Sequence, residues 1–183
     1  HLLDYMLKKS KDPKERLVLL SHAIDAIAGT FYTQVLFADY EYQVHKLVED
    51  GLPITADVLN DVYSQLLTDY YGDSMANDEM YDVTWARIPH FSSVTYYVYQ
   101  YATSYAASAA LYKKMNEGSR KSKKTARANY INLLKSGGSD YPVEQLKQAG
   151  VDMSQPDAVA AVIEKMGELV DQYEKELKKL GLI

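Results

Sequence analysis

The stretch that decides the fold runs from Asp12-Pro13-Lys14-Glu15-Arg16-Leu17-Val18-Leu19-Leu20 through His22-Ala23-Ile24-Asp25-Ala26-Ile27 to Glu49-Asp50. Asp12 offers the short side-chain acceptor of a helix N-cap, and Pro13 suits the first helical position, where no backbone N–H is needed. Beyond them Leu17, Leu20, Ile24, Ile27, Phe31 and Val35 recur three to four residues apart, the spacing of one helical face. Gly51 and Pro53 end the pattern. The spacing therefore predicts one helix of about 37 residues, roughly 55 Å long at 1.5 Å per residue. Such a helix needs neighbours on more than one side. Gly29 in its middle is either a weak point or a site of close packing.

The remaining chain also reads as helical. Thr55 caps a helix whose Val58, Leu59, Val62, Leu66 and Leu67 form an apolar stripe up to Tyr71-Gly72. Residues 73–93 are irregular, and Pro89 disfavours helix at Ile88, so His90 is expected on a loop. Between 96 and 105 two periods compete. Tyr97, Tyr99 and Tyr101 around Val98 would suit a strand, whereas Tyr97, Tyr101 and Tyr105 are four apart. The run continues into Ala106-Ala107-Ser108-Ala109-Ala110-Leu111, and alanine favours helix, so one helix is expected from about residue 94 to Glu117. Further helices follow over 121–135, ended by Gly137-Gly138; from Pro142 to Ala149-Gly150; and from Pro156 to Gly181. The fold class is all-α, a multi-helix lobe with one very long helix. There is no solenoid repeat and no low-complexity linker.

Composition narrows the function classes. The 183 residues are 47% hydrophobic and 25% charged, enough for a core. A net charge of −5 gives no general attraction to nucleic acid or anionic membrane. No apolar run approaches a bilayer span. Cysteine is absent, which removes disulfides and thiolate chemistry and fits a reducing compartment such as the cytoplasm. His1-Leu2-Leu3-Asp4-Tyr5-Met6-Leu7 lacks a signal-peptide pattern and any N-cap, as if the chain began inside a helix. Tyrosine is abundant, 17 against 3 Phe and 1 Trp. Either half-wet cavities use the hydroxyls, or tyrosine stands in for phenylalanine in the core.

Few residues promise chemistry. His1, His22, His45 and His90 form no i, i+4 pair for a metal, and no His-Glu-x-x-His occurs. His22 and His45 lie on the long helix, where structural roles are commonest. His90 stands apart, ahead of Tyr96-Tyr97-Val98-Tyr99-Gln100-Tyr101; an imidazole and a phenol presented together can donate hydrogen bonds to an oxyanion. Asp69, Asp73, Asp78, Glu79 and Asp82 do not follow a calcium-loop spacing. The basic group Lys113-Lys114, Arg120-Lys121, Lys123-Lys124 and Arg127 lacks interleaved aromatics and reads as solvated helix surface. Ser136-Gly137-Gly138-Ser139 follows a helix and reads as a turn, not a phosphate loop.

Six stretches in order resemble the C-terminal part of the oligoendopeptidase F group, zinc metallopeptidases of the thimet oligopeptidase family. They are Leu7-Lys8-Lys9 with Asp12-Pro13-Lys14-Glu15-Arg16-Leu17; Phe37-Ala38-Asp39-Tyr40-Glu41 with His45; Trp85-Ala86-Arg87-Ile88-Pro89-His90-Phe91; Tyr97-Val98-Tyr99-Gln100-Tyr101-Ala102-Thr103; Leu134-Lys135-Ser136-Gly137-Gly138-Ser139-Asp140-Tyr141-Pro142; and Ala149-Gly150-Val151-Asp152-Met153.

The resemblance implies that residues 1–183 are the C-terminal helical part of a peptidase catalytic domain, beginning just after the zinc-ligand region. It implies hydrolysis of internal bonds in short peptides by the whole enzyme, with zinc as cofactor there and no metal held by this chain. On the resemblance, His90 and Tyr99 steady the oxyanion, with Tyr97 as the other candidate. Tyr96, Tyr101, Gly137 and Gly138 fall on the substrate side. The implied partners are an oligopeptide and the N-terminal remainder of the enzyme; alone, the chain is expected to be inactive and to self-associate. The competing hypothesis is a non-enzymatic helical interaction or scaffold domain.

Overall fold

The computed structural model describes residues 2–76 and 78–183. These are helices and turns, with no strand among the described residues. His1, on which the expectation of a chain starting inside a helix rests, lies outside them; Leu2–Lys9 forms α1. Asp12 caps α2, Pro13–Ile27, by accepting from the Lys14 N–H, with Pro13 in the first turn. A five-residue π turn, Ala28–Tyr32, follows, and α3 continues over Thr33–Glu49. The long helix is thus present from 13 to 49. Gly29 lies in that π turn and is not a close-packing site: a Cβ built there meets nothing within 4 Å.

Next come α4, Ala56–Tyr71, capped by Thr55; α5, Glu79–Asp82; and α6, His90–Ser93. The remaining helices are α7, Tyr99–Asn116; α8, Arg120–Ser136; α9, Pro142–Gln148; and α10, Asp157–Leu180. Two boundary expectations are corrected. His90 begins a single helical turn and is not on an open loop, because the Pro89 carbonyl accepts from the N–H groups of Ser92 and Ser93 and the His90 carbonyl from Val94. Helix α7 starts at Tyr99, not near 94, because Tyr96 takes a positive φ of 54°, which right-handed helix forbids.

The chain divides into two compact units: residues up to Phe31 with Thr103–Ile183, and Tyr32–Ala102. In the first, α10 and α1 both pack on α2. Leu7, Leu20, Ala23, Ile27, Val162 and Leu169 are buried. Small alanines of α7, Ala106, Ala107 and Ala110, are buried with them in this unit's sequence. In the second, α3 and α4 pack together and enclose Leu36, Phe37, Tyr40, Tyr63, Leu66 and Val98, with Trp85 and Phe91 against that cluster. Tyr40 packs edge-on against Tyr63 at 5.3 Å and stacks with Trp85 at 6.4 Å. Burial pushes the Tyr63 phenol up to about 12 and raises the Tyr40 phenol further still. The Tyr40 hydroxyl has no hydrogen-bond partner among the described residues. No helix among them is long and apolar enough to cross a membrane.

Candidate active-site groups of the 32–102 unit

His90 is placed by the residue beside it. Phe91 packs edge-on against Phe37, with ring centroids 5.7 Å apart, and tilts against Tyr40 at 5.1 Å. This anchors α6 on α3 and leaves the half-buried imidazole of His90 facing the tyrosines. On their side the anchor is Val98, which is 1% exposed within the same core.

Between these anchors the rings of His90 and Tyr97 stack, 5.4 Å apart and 12° from parallel. Tyr101, in the first turn of α7, meets His90 edge-on at 6.0 Å, and its hydroxyl lies 3.5 Å from Nε2, the outer limit of a hydrogen bond. Tyr97 and Tyr101 also meet edge-on at 5.7 Å. Desolvation, the charge of Tyr97 and a hydrogen bond with it all raise the Tyr101 phenol above its ordinary value. A neutral phenol is a donor, so the shift preserves donation into alkaline solution.

The other tyrosines are disposed differently. Tyr99 opens α7 and keeps 49% of its surface exposed. Residues two apart on a helix do not share a face, so Tyr99 and Tyr101 project from different sides of α7. Tyr96 turns toward α3, where its ring lies 4.7 Å from His45 and its N–H donates to Glu41 Oε1 at 2.6 Å. Gly137 and Gly138 belong to the first unit and end α8, Gly137 at φ 54°. The structure therefore gathers His90, Tyr97 and Tyr101 into one ring cluster, with Tyr96 held on the other side of the same segment. Sequence reasoning took no notice of Glu41 as a functional residue. The signal was there: it falls four residues after Phe37, a carboxylate in the apolar stripe of α3.

No three His, Asp or Glu side chains among the described residues converge as a metal site. The acidic residues of 69–82 remain apart in that respect.

The profile of peptidase family M3 matches residues 2–165, and the chain belongs to that family. It is 40% identical to oligopeptidase PepF of Bacillus subtilis over 97% of its own length and 26% of that protein's. Against group B oligopeptidase PepB of Streptococcus agalactiae the figures are 36%, 97% and 29%. Its fold superposes on the crystal structure of oligoendopeptidase-F from Enterococcus faecium with a TM-score of 0.89 and 36% identity, covering 97% of this chain and 33% of that one. The chain thus spans about a quarter to a third of the proteins it matches.

Proposed function

We propose that this chain is the C-terminal helical part of a zinc-dependent oligopeptidase that cleaves internal bonds of short peptides, and that it contributes the groups that meet the developing oxyanion. The observation that carries this is the His90–Tyr97–Tyr101 ring cluster within a chain of peptidase family M3. His90 donates from its imidazole, oriented by the flat face of Tyr97 and the edge of Tyr101. The phenol of Tyr99 donates from the exposed first turn of α7, with Tyr97 as the second candidate. Donors fixed before the reaction cost no reorganisation when charge develops, so each contributes on the order of 10²–10³ in rate. Tyr96, Tyr101, Gly137 and Gly138 are assigned to the substrate side.

M3 peptidases are generally zinc-dependent, but the described residues of this chain do not fit a zinc site. Zinc ligands of the whole enzyme are assigned to sequence preceding His1, and the chain's own residues act by donating and orienting. On this reading the isolated chain is inactive, holds no zinc after dialysis, and associates through exposed apolar side chains such as Leu2 and Met6 of α1. A cytoplasmic location is supported by the absence of cysteine. The test is kinetic: in the full-length peptidase, His90→Ala lowers kcat on a short peptide by about 10²-fold or more with zinc content unchanged. Unaltered kcat would end the assignment.

A further inference from the structure

Glu41 is a buried group that the proposed mechanism leaves without a task. It lies on α3 beside Phe37 and Tyr40, and only 4% of it is exposed. A carboxylate is not stable among aromatic rings unless its charge is answered by donors. One answer is the backbone N–H of Tyr96, at 2.6 Å, the short distance of a hydrogen bond to a charged acceptor. That N–H belongs to the one described non-glycine residue with positive φ, 54°. A tyrosine stays in this region only when its surroundings over-determine it.

The surroundings do so from one face of α3. Glu41 and His45 are one helical turn apart. The first takes the N–H of Tyr96, and the second packs its ring face 4.7 Å from the Tyr96 ring. The next residue, Tyr97, stacks on His90, and the one after it, Val98, is buried in the core. Meanwhile Phe91, the neighbour of His90, rests on Phe37 and Tyr40. Residues 37–45 of α3 therefore hold both partners of the stacked pair, His90 through Phe91 and Tyr97 through Tyr96.

We propose that Glu41 is a positioning residue: by gripping the Tyr96 N–H it holds residues 94–98 in the strained path that lays Tyr97 against His90. Its consequence for catalysis rests on the oxyanion role assigned to His90 above, whereas its consequence for geometry does not. Glu41 touches neither substrate nor reacting atoms on this account.

The experiment reads the stack directly. In the full chain labelled with ¹³C-histidine, the imidazole resonances of His90 carry the ring-current shift of Tyr97, and Tyr97→Leu supplies the unstacked reference. Glu41→Ala should move the His90 resonances most of the way to that reference, and Glu41→Gln, which keeps a carbonyl acceptor, should restore them. The indole N–H of Trp85, which donates to Asn60 at 2.8 Å in the same unit, reports that the unit remains folded. Should Glu41→Ala lose the Trp85 signal, Glu41→Met keeps the side-chain length without the acceptor and takes its place. A His90 resonance unmoved in a folded Glu41→Ala or Glu41→Met variant overturns the proposal. In the full-length peptidase the same variants should lower kcat by about 10- to 100-fold, the scale of a donor displaced by an ångström. If the stack is lost and kcat is not, the positioning stands and the catalytic role of His90 falls.

Discussion

Arg16 Nε lies 2.9 Å from Glu176 Oε1, joining α2 to α10 across 160 residues of sequence. The carboxylate side chain is 4% exposed and is also met by Lys179 at 2.9 Å. Arg16 spends its other donors on the Leu7 carbonyl at 2.6 Å and on Gln172. One guanidinium thus ties α1, α2 and α10 together. Arg16→Ala should cost the first unit about 2–3 kcal/mol, because a buried acceptor loses a charged donor. Lys179→Ala should cost under ~1 kcal/mol, since that ammonium is half exposed. Urea unfolding of the two variants checks the order, and equal losses would contradict it.

The same carboxylate gives the first unit an acid limit. Hydrogen bonds from Lys179 and then Arg16 hold Glu176 below its ordinary value of 4.5. A depressed acid favours the fold only while ionised, so its contribution is complete above the unfolded value and is lost as pH falls through the folded one. Stability measured by circular dichroism should therefore decline below about pH 4.5 in the parent, and Glu176→Gln should flatten that decline. A parent profile parallel to that of Glu176→Gln would refute the linkage.

Gly29 sits in the π turn with no φ that requires glycine and open space where a Cβ would go. Gly29→Ala should then stabilise the chain by about 0.5–1 kcal/mol through reduced freedom of the unfolded backbone. A lower midpoint in thermal melting would show that the turn itself needs glycine.

How much of this the sequence made legible follows from the range of each interaction. The caps Asp12 and Thr55 and the spacing of Leu17, Leu20, Ile24 and Ile27 are local signals, and the helices they predict are present. The π turn was marked only by Gly29, whose spacing says nothing about winding. The start of α7 was misplaced because Tyr96 takes a positive φ, and its N–H donates to Glu41, 55 positions earlier; no local propensity encodes such a partner. For the candidate site, His90 and its tyrosines were legible as a composition anomaly. Which tyrosines face the imidazole was not, since Tyr97 leaves the helical path and only the fold fixes its ring.

The tyrosines separate in a kinetic series on the full-length peptidase. Tyr99→Phe should lower kcat and kcat/KM alike, by roughly 10- to 1000-fold, as loss of a donor used only in the transition state. Tyr97→Phe keeps its stacking face toward His90 and should lose less than about tenfold. The double change of His90→Ala with Tyr99→Phe should lose less than the product of the two if both serve one oxygen. Tyr105→Phe, a half-buried side chain of the first unit, should leave catalysis nearly intact. If Tyr97→Phe is the damaging change instead, the donor is the ring that faces His90.

The buried phenols of Tyr40 and Tyr63 give the second unit a limit of the opposite sense. Both are held above the ordinary value of 10, Tyr63 at about 12, chiefly by desolvation. A raised acid favours the fold while protonated, so that stability is complete below the unfolded value and drains away as pH climbs past 10 toward the folded one. Trp85, stacked on Tyr40 and the single tryptophan of the chain, should report this alkaline loosening by fluorescence, and Tyr40→Phe should postpone it. Acid would then act on the fold through the carboxylate of Glu176 and alkali through buried phenols, so different groups bracket the chain at the two ends of the pH scale.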